Sequence, residues 1–239
     1  MNDSLIRMCK QLKIAYIEGL VDDFNDETFS EKLEIIFRKE IAERKNSRLS
    51  RAVIHAGFPQ MKTFEKYIFD TITFPESTNK NDLLSLNWIN KNENVLLMGS
   101  VGTGKTHMAI ALGIEACRQG KTVKFYRAAD LVDILQEKHS LGTIKRFRSI
   151  LRRYDVLIVD EVGFVPFNQT GSELLFNVIA ESYERQSVIV TTNLEFGQWT
   201  SIFGDSKLTT ALVDRLIHHS IILAFNGDSL RLQEAMKRA

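Results

Sequence analysis

The sequence predicts an α/β fold, with a parallel sheet covered by helices on both faces and a small all-helical N-terminal domain before it. From residue 94 onward, short apolar segments rich in β-branched residues alternate with helical stretches. The first third has apolar residues at helical spacing and no such strand segment. We therefore expect a boundary near residues 58–66, with domains at residues 1–66 and 67–239.

Composition and charge limit the possible classes of protein. The chain has 239 residues, of which 44% are hydrophobic and 26% charged, the usual mix of a globular protein. A net charge of +1 gives no global basic field, so a nucleic-acid partner must be inferred from local clusters. Cys9 and Cys117 lack metal-ligand spacing and are expected to be reduced thiols in the bacterial cytoplasm. The charged N-terminus and the lack of any apolar run near 20 residues predict no signal peptide and no membrane partner.

Three helices are expected in the N-terminal third, over residues 1–20, 28–45 and 47–56. The second would begin at a capping box, because Thr28 precedes Glu31 by three positions. This region therefore predicts a small helical bundle.

Five later segments are candidate strands, because each is short, apolar and typical of a strand that is buried on both faces. They are Asn94–Met98, Thr122–Tyr126, Val156–Asp160, Val188–Thr192 and Ser220–Ala224. Before them, residues 67–81 contain Phe74-Pro75 and Ser77-Thr78-Asn79, which predict linker and loop.

A glycine-rich segment follows the first candidate strand and opens a candidate helix. It matches the pattern G-x-x-x-x-G-K-[ST] at Gly99, Ser100, Val101, Gly102, Thr103, Gly104, Lys105 and Thr106. The glycines allow backbone N–H groups to turn toward phosphate oxygens, and the helix N-terminus adds its positive end. Lys105 is suited to the β- and γ-phosphates and Thr106 to Mg²⁺. Because a strand and a helix flank the segment, we interpret it as an ATP–Mg²⁺ site and not as a chance glycine turn.

Two adjacent carboxylates, Asp160 and Glu161, follow the apolar run Val156–Val159. Ligands of open α/β sheets bind at the carboxyl ends of the strands. Asp160 is suited to Mg²⁺, directly or through water, and Glu161 to polarising the attacking water. The alternative is a solvated strand end, which the phosphate-binding segment upstream makes the weaker interpretation.

Three further polar residues are candidates for the reaction. Asn193 follows the fourth candidate strand and would orient the water or sense the γ-phosphate, although an asparagine there is also typical of a turn. Arg215 would supply a cation across a subunit interface, and Arg231 would contact the nucleotide of its own subunit. By composition alone, either arginine is more often a residue of the exposed surface.

A basic stretch, with no acid between Leu141 and Tyr154, is a candidate for binding phosphate backbone. It consists of Lys145, Arg146, Arg148, Arg152 and Arg153. A solvated helix face explains such a run equally well.

Several motifs together resemble the IstB family, the helper ATPases of IS21-type insertion sequences and sisters of the DnaC/DnaI helicase loaders. The similarity runs from about Ala42 to the C-terminus, with agreement in the order and spacing of every block. The blocks are GSVGTGKTH, VLIVDEVGFVPF, VIVTTNLEFGQW, LVDRLIHHS and GDSLR.

The resemblance implies an AAA+ P-loop domain with strand order 5-1-4-3-2 and an N-terminal helical domain for partner or DNA binding. It also implies an ATP-dependent homo-oligomer on DNA that works with a transposase. In that family Asn193 matches sensor 1, Arg215 the arginine finger and Arg231 sensor 2. The chain departs from the family where Leu230 replaces a usual tyrosine and Glu195 a common proline.

Three functions remain possible. The favoured one is an ATP hydrolase that assembles on double-stranded DNA and recruits or activates the transposase of its element. The second is a replicative helicase loader acting on single-stranded DNA. The third is a P-loop kinase for a small molecule, which the Asn193 and Arg215 pair and the lack of a recognisable acceptor site disfavour. The absence of a cysteine-bearing zinc module favours the transposition helper over the loader.

Overall fold

The computed structural model describes residue 13, residues 29–65 and 67–230, and residues 232 and 236. The chain divides into two compact units, Met1–Ala52 and Val53–Ala239. The domain boundary at residue 66 stays a prediction, while residues 53–65 belong to the unit that contains the sheet. The expected helix at 1–20 and the capping box at Thr28 lie outside the described residues.

The first helix, α1 (Phe29–Ala56), is continuous, so the expectation of two helices at 28–45 and 47–56 is wrong. No glycine or proline interrupts this segment, and a polar pair at the expected break does not by itself end a helix. The helix ends at Ala56, and the next residue, Gly57, has a φ of +76°, which suits the left-handed residue that follows many helices.

The sheet has six strands in the order β1-β6-β2-β5-β4-β3. Their bounds are β1 (Ile72–Thr73), β2 (Asn94–Gly99), β3 (Val123–Arg127), β4 (Val156–Val162), β5 (Ser187–Thr192) and β6 (Ser220–Phe225). The five predicted strands are all present and parallel to one another, and their order 5-1-4-3-2 is confirmed.

One strand was not expected. Residues 67–81 were predicted as linker and loop, but β1 pairs antiparallel with β6, with Ile72 opposite Phe225. Two residues are too few to show a period of two, so the sequence pattern does not identify this strand.

Helices connect the strands and cover both faces of the sheet. Their bounds are α2 (Lys80–Ser85), α3 (Asn87–Asn90), α4 (Lys105–Arg118), α5 (Ala128–Ser140), α6 (Ile144–Leu151), α7 (Gln169–Ser182), α8 (Thr200–Phe203) and α9 (Ser206–His218). On one face, α5, α7 and α9 pack on alternate strand residues such as Leu157 and Val159. On the other, α4 lies close to β4, because a Cβ at Gly113 would be 2.8 Å from Ile158 Cδ1. This two-sided burial confirms the predicted α/β class and brings the carboxyl ends of β2, β4 and β5 together.

Candidate nucleotide-binding site

The loop between β2 and α4 has a backbone that requires glycine. Gly102 and Gly104 have φ values of +84° and +99°, a region that other residues rarely adopt. A Cβ at Gly99 would lie 2.3 Å from the carbonyl oxygen of Phe225, which is backbone and cannot move aside easily. These glycines therefore allow the tight turn that opens α4, as the sequence pattern predicts.

Lys105 begins α4 and is only 9% exposed. Its Nζ donates hydrogen bonds to the carbonyl oxygens of Gly99 at 2.6 Å and Ser100 at 2.7 Å. The ammonium group is thus held at the loop beside the N-terminus of a helix. Both features favour an anionic ligand at this point.

Thr106, the second residue of α4, is hydrogen-bonded to Asp160 on β4. The Thr106 hydroxyl donates to Asp160 Oδ1 at 2.9 Å, and Oδ2 is 3.1 Å away. Asp160 is 1% exposed, at the carboxyl end of β4. A hydroxyl and a carboxylate are oxygen ligands that fit Mg²⁺, which takes one or two protein oxygens together with phosphates and water.

Glu161 lies in an irregular part of β4. Its φ is +61°, and the pairing of β4 with β5 shifts register between Val159 and Val162. The Glu161 side chain lines the cleft, with Oε2 3.9 Å from Nε of Arg127 at the end of β3. The bulge therefore gives Asp160 and Glu161 different positions, one buried and one facing the open cleft.

Thr191 on β5 contacts both acidic residues, although no sequence motif identifies it. Its hydroxyl donates to Asp160 Oδ1 at 2.6 Å and accepts a hydrogen bond from the Glu161 backbone N–H at 2.8 Å. A threonine in a strand rich in β-branched residues gives no sequence signal of a functional role. Its position two residues before Asn193 was the available clue.

A cleft of about 580 Å³ joins these groups. Asn193 lies on its wall, as expected for a polar residue after β5. The cleft volume is typical of small-ligand sites. Other lining residues were not predicted, because they come from the segment after α1 and from the ends of β3 and β4. They include Pro59, Gln60, Lys62, Arg127 and Phe164.

An aromatic segment supports the glycine-rich loop from behind. Tyr67 donates its hydroxyl to the carbonyl oxygen of Gly104 at 3.3 Å, and burial raises the pKa of Tyr67 well above its usual value. His107 lies 2.8 Å from the carbonyl oxygen of Thr63 and packs edge-on against Tyr67, with ring centroids 4.9 Å apart. These contacts give His107 a packing role behind the loop.

Arg215 is not among the described residues that line the cleft. It lies on α9, where Nη1 donates to the carbonyl oxygen of Ala211 at 3.3 Å and Cζ lies 5.2 Å from the centre of the Phe176 ring. Arg231 lies outside the described residues. Leu230, just before it, lines the cleft and donates its backbone N–H to the carbonyl oxygen of Gly102 at 3.0 Å.

The basic stretch is divided by an acid from another helix. Glu181 on α7 lies 3.2 Å from Arg148 and 3.5 Å from Arg152. Lys145, Arg146 and Arg153 are exposed. The sequence could not place Glu181 there, because it lies almost thirty residues further along the chain.

The family model described as "IstB-like ATP binding protein" matches residues 10–238. A putative ATP-binding protein of insertion sequence IS5376 from Geobacillus stearothermophilus is 36% identical over 207 residues, covering 87% of this chain and 82% of that protein. The putative ATP-binding protein of insertion sequence IS21 from Pseudomonas aeruginosa is 33% identical over 239 residues, covering 98% and 89%.

Solved structures share the fold at lower identity. AMPPCP-bound DnaA from Aquifex aeolicus has a TM-score of 0.56 and 23% identity, with 77% of this chain and 57% of that chain covered. The DnaC helicase loader has a TM-score of 0.50 and 21% identity, with 62% and 92% covered. These likenesses show an AAA+ P-loop fold. Within the described part of the chain, no helix is both long and apolar enough to cross a bilayer.

Proposed function

The chain belongs to the family of IstB-like ATP-binding proteins, and from that premise we propose that it hydrolyses ATP and assembles on double-stranded DNA to recruit or activate a transposase. The relatives at 33–36% identity are named as ATP-binding proteins of insertion sequences, which supports this context. The observation that carries the proposal is the meeting of Thr106 with Asp160 in a cleft that Glu161 also lines.

The glycine-rich loop and Lys105 bind the phosphates of ATP in this proposal. Backbone N–H groups surround phosphate oxygens, and the ammonium of Lys105 exchanges its carbonyl partners, 2.6 and 2.7 Å away, for the β- and γ-phosphates. Thr106 and Asp160 hold Mg²⁺, which neutralises phosphate charge when it is bound. The oxygen chemistry of this pair supports the assignment.

Glu161 acts as the general base for the attacking water. Its carboxylate accepts a proton as the water oxygen bonds to the γ-phosphorus and the bond to the bridging oxygen of ADP breaks. Asn193, on the wall of the same cleft, orients the water through its side-chain amide. The exposed position of Glu161 in the β4 bulge supports this role, because the base must contact a water molecule that enters the cleft from solvent.

Arg215 completes the site of a neighbouring subunit in an ATP-dependent homo-oligomer. Its place outside the cleft of its own chain supports action in trans. Arginine in this role stabilises the charge that spreads over the equatorial phosphate oxygens in the transition state. Arg231 contacts the nucleotide within its own subunit in this proposal.

DNA binding is assigned to the exposed members of the basic stretch that do not pair with Glu181, which are Lys145, Arg146 and Arg153. Such side chains bind phosphates without regard to sequence. DNA and ATP are both available in the bacterial cytoplasm, where we place this activity. The helicase-loader alternative has less support, because the likeness to DnaC is one of fold at 21% identity.

The test uses the purified protein, double-stranded DNA and the transposase of an IS21-type insertion sequence, with sedimentation to detect assembly. ATP should give DNA-bound assemblies that retain the transposase and raise its DNA-joining activity, whereas ADP should not. Equal assembly with ADP, or unchanged joining activity, would contradict the proposal. A parallel sample with a replicative helicase and single-stranded DNA tests the loader role, and helicase loading there would replace the transposase assignment.

A further inference from the structure

We propose that the Thr191 hydroxyl positions both acidic residues of the site, aligning Asp160 with Thr106 and holding the backbone bulge that presents Glu161 to the cleft. This inference rests on the proposed ATPase function, since it assigns a positioning residue to that reaction. It makes one buried side chain on β5 responsible for the relative placement of the metal-binding and water-activating groups.

The register of the sheet brings Thr191 opposite both acids. Val159 pairs with Val190, but the next pair along the two strands is Val162 with Thr192. Two residues of β4, Asp160 and Glu161, therefore face one residue of β5, which is the arrangement of a β-bulge. A bulge leaves a backbone group without its ladder partner, and a buried N–H without a partner is unfavourable.

The Thr191 side chain takes the place of the missing ladder bond. Its oxygen accepts from the Glu161 N–H at 2.8 Å, at the residue whose φ is +61°. A glutamate rarely adopts this conformation, so the surrounding contacts must stabilise it. A hydrogen bond at that backbone nitrogen is such a contact, and it fixes where the Glu161 side chain leaves the strand.

The same hydroxyl donates a hydrogen bond to the neighbouring acid, Asp160. It donates to Asp160 Oδ1 at 2.6 Å, while Thr106 donates to that oxygen at 2.9 Å from the other side. A carboxylate held by two hydroxyl groups has little freedom to rotate. Residues that hold a metal ligand in this way commonly change metal affinity or activity about 10- to 100-fold when they are replaced.

Thr191 is suited to a clean substitution because it is 1% exposed on the central strand next to β2. Thr191→Val keeps the branched shape and removes the hydroxyl, and Thr191→Ser keeps the hydroxyl and removes a methyl group. Thr209→Val is the matched control: this threonine is 4% exposed on α9, and its hydroxyl donates only to the carbonyl oxygen of Asp205 at 2.6 Å.

The first measurement is amide hydrogen exchange at Glu161 in the nucleotide-free protein. Thr191→Val should speed exchange there at least about 10-fold, because the acceptor of that N–H is lost, while Thr191→Ser and Thr209→Val should leave it near the wild-type rate. The second is binding of a non-hydrolysable ATP analogue with and without Mg²⁺. Thr191→Val should lose about 10-fold or more of the Mg²⁺-dependent gain in affinity and leave the Mg²⁺-independent affinity unchanged.

Turnover completes the comparison, with kcat expected to fall about 10- to 100-fold in Thr191→Val and to recover in Thr191→Ser. Wild-type exchange and wild-type Mg²⁺ dependence in Thr191→Val would overturn the proposal. So would equal defects in Thr191→Ser or Thr209→Val, because shape or general stability would then explain them. None of the binding measurements uses DNA or transposase, so failure of those partners to respond counts against the proposed function and not against Thr191.

Discussion

Arg148 and Glu181 form an ion pair between helices α6 and α7, with Nη1 3.2 Å from Oε1. The same carboxylate lies 3.5 Å from Arg152, so two guanidinium groups share one acid. Both members of the first pair are largely shielded from solvent, with side chains 21% and 28% exposed. A guanidinium engaged in this way is poorly available to DNA phosphate, which separates Arg148, and in part the 39% exposed Arg152, from Lys145, Arg146 and Arg153.

We expect the triple change of Lys145, Arg146 and Arg153 to Ala to weaken DNA binding for every sequence tested. The linear dependence of log Kobs on log salt should lose about 0.9 units of slope for each phosphate contact removed, and up to about 3 units in all. Fluorescence anisotropy with labelled duplex DNA at several salt concentrations measures both effects. A slope equal to that of the wild type would mean that this face is only solvated.

The matched control is Arg148→Ala in the same helix. It should leave the salt slope unchanged, and it should lower the free energy of unfolding by about 1–3 kcal/mol because Glu181 loses a partner in a partly buried place. Denaturant unfolding measures the second effect. A reduced salt slope with unchanged stability would place Arg148 on DNA instead.

Lys105→Ala should abolish tight ATP binding. The backbone N–H groups of the loop remain, but they cannot neutralise the charge of the β- and γ-phosphates without the ammonium group. Titration calorimetry with ATP gives the affinity, and Lys91→Ala, which changes an exposed lysine before β2, should bind like the wild type. Wild-type affinity in Lys105→Ala would rule out the phosphate site described above.

Glu161→Gln should separate binding from hydrolysis. Glutamine keeps the shape and hydrogen bonding of glutamate but cannot accept the proton of water, so turnover should fall at least about 100-fold. ATP affinity should stay within a few fold, because Glu161 does not hold the phosphates in this site. Hydrolysis at the wild-type rate would assign the base to another residue, and Glu137→Gln on the exposed face of α5 provides a control.

The sequence predicts the sheet well because strands buried on both faces are recognisable one by one. All five predicted strands are present, and Val156–Asp160 differs from β4 only by an extension to Val162. The pattern could not reveal β1, which is two residues long, or the continuity of α1 through Asn46 and Ser47. The strand β1 depends on tertiary pairing with β6. The continuity of α1 depends on the absence of a strong helix breaker, which a polar pair is not.

The sequence identifies cleft residues where a motif contains them, and misses those whose place depends on strand pairing. Lys105, Thr106 and Asp160 all line the cleft, while their roles stay predictions. Thr191 has no motif of its own, because its contacts depend on the bulge between Val159 and Val162. Strand register of this kind is a property of two paired segments, and neither segment alone contains it.

The side chain of Arg215 is held in a way that suits presentation to another subunit. Its guanidinium lies over the Phe176 ring, with Cζ 5.2 Å from the ring centre. Its Nη1 donates to the carbonyl oxygen of Ala211, one turn earlier in α9. Cation–π contact limits the freedom of the guanidinium without neutralising its charge. Such a placement suits an arginine that acts in trans, because conformational freedom lost on binding would cost free energy and weaken the interface.

Arg215→Ala and Lys105→Ala subunits, each expected to be nearly inactive alone, should recover part of the ATPase activity when they are mixed. Some interfaces in the mixture would pair an intact Lys105 loop with an intact Arg215 from the neighbour, and one arginine in this role is worth about 10³–10⁵ in rate. Steady-state ATP hydrolysis against mixing ratio gives the measurement, with light scattering to establish that the two variants assemble together. For random mixing in equal amounts, about a quarter of the interfaces would be intact, which is the largest fraction any mixture can give. The recovered rate should therefore peak when the two variants are present in equal amounts. Absence of recovery in mixtures that do assemble would place Arg215 at the nucleotide of its own subunit or outside the reaction.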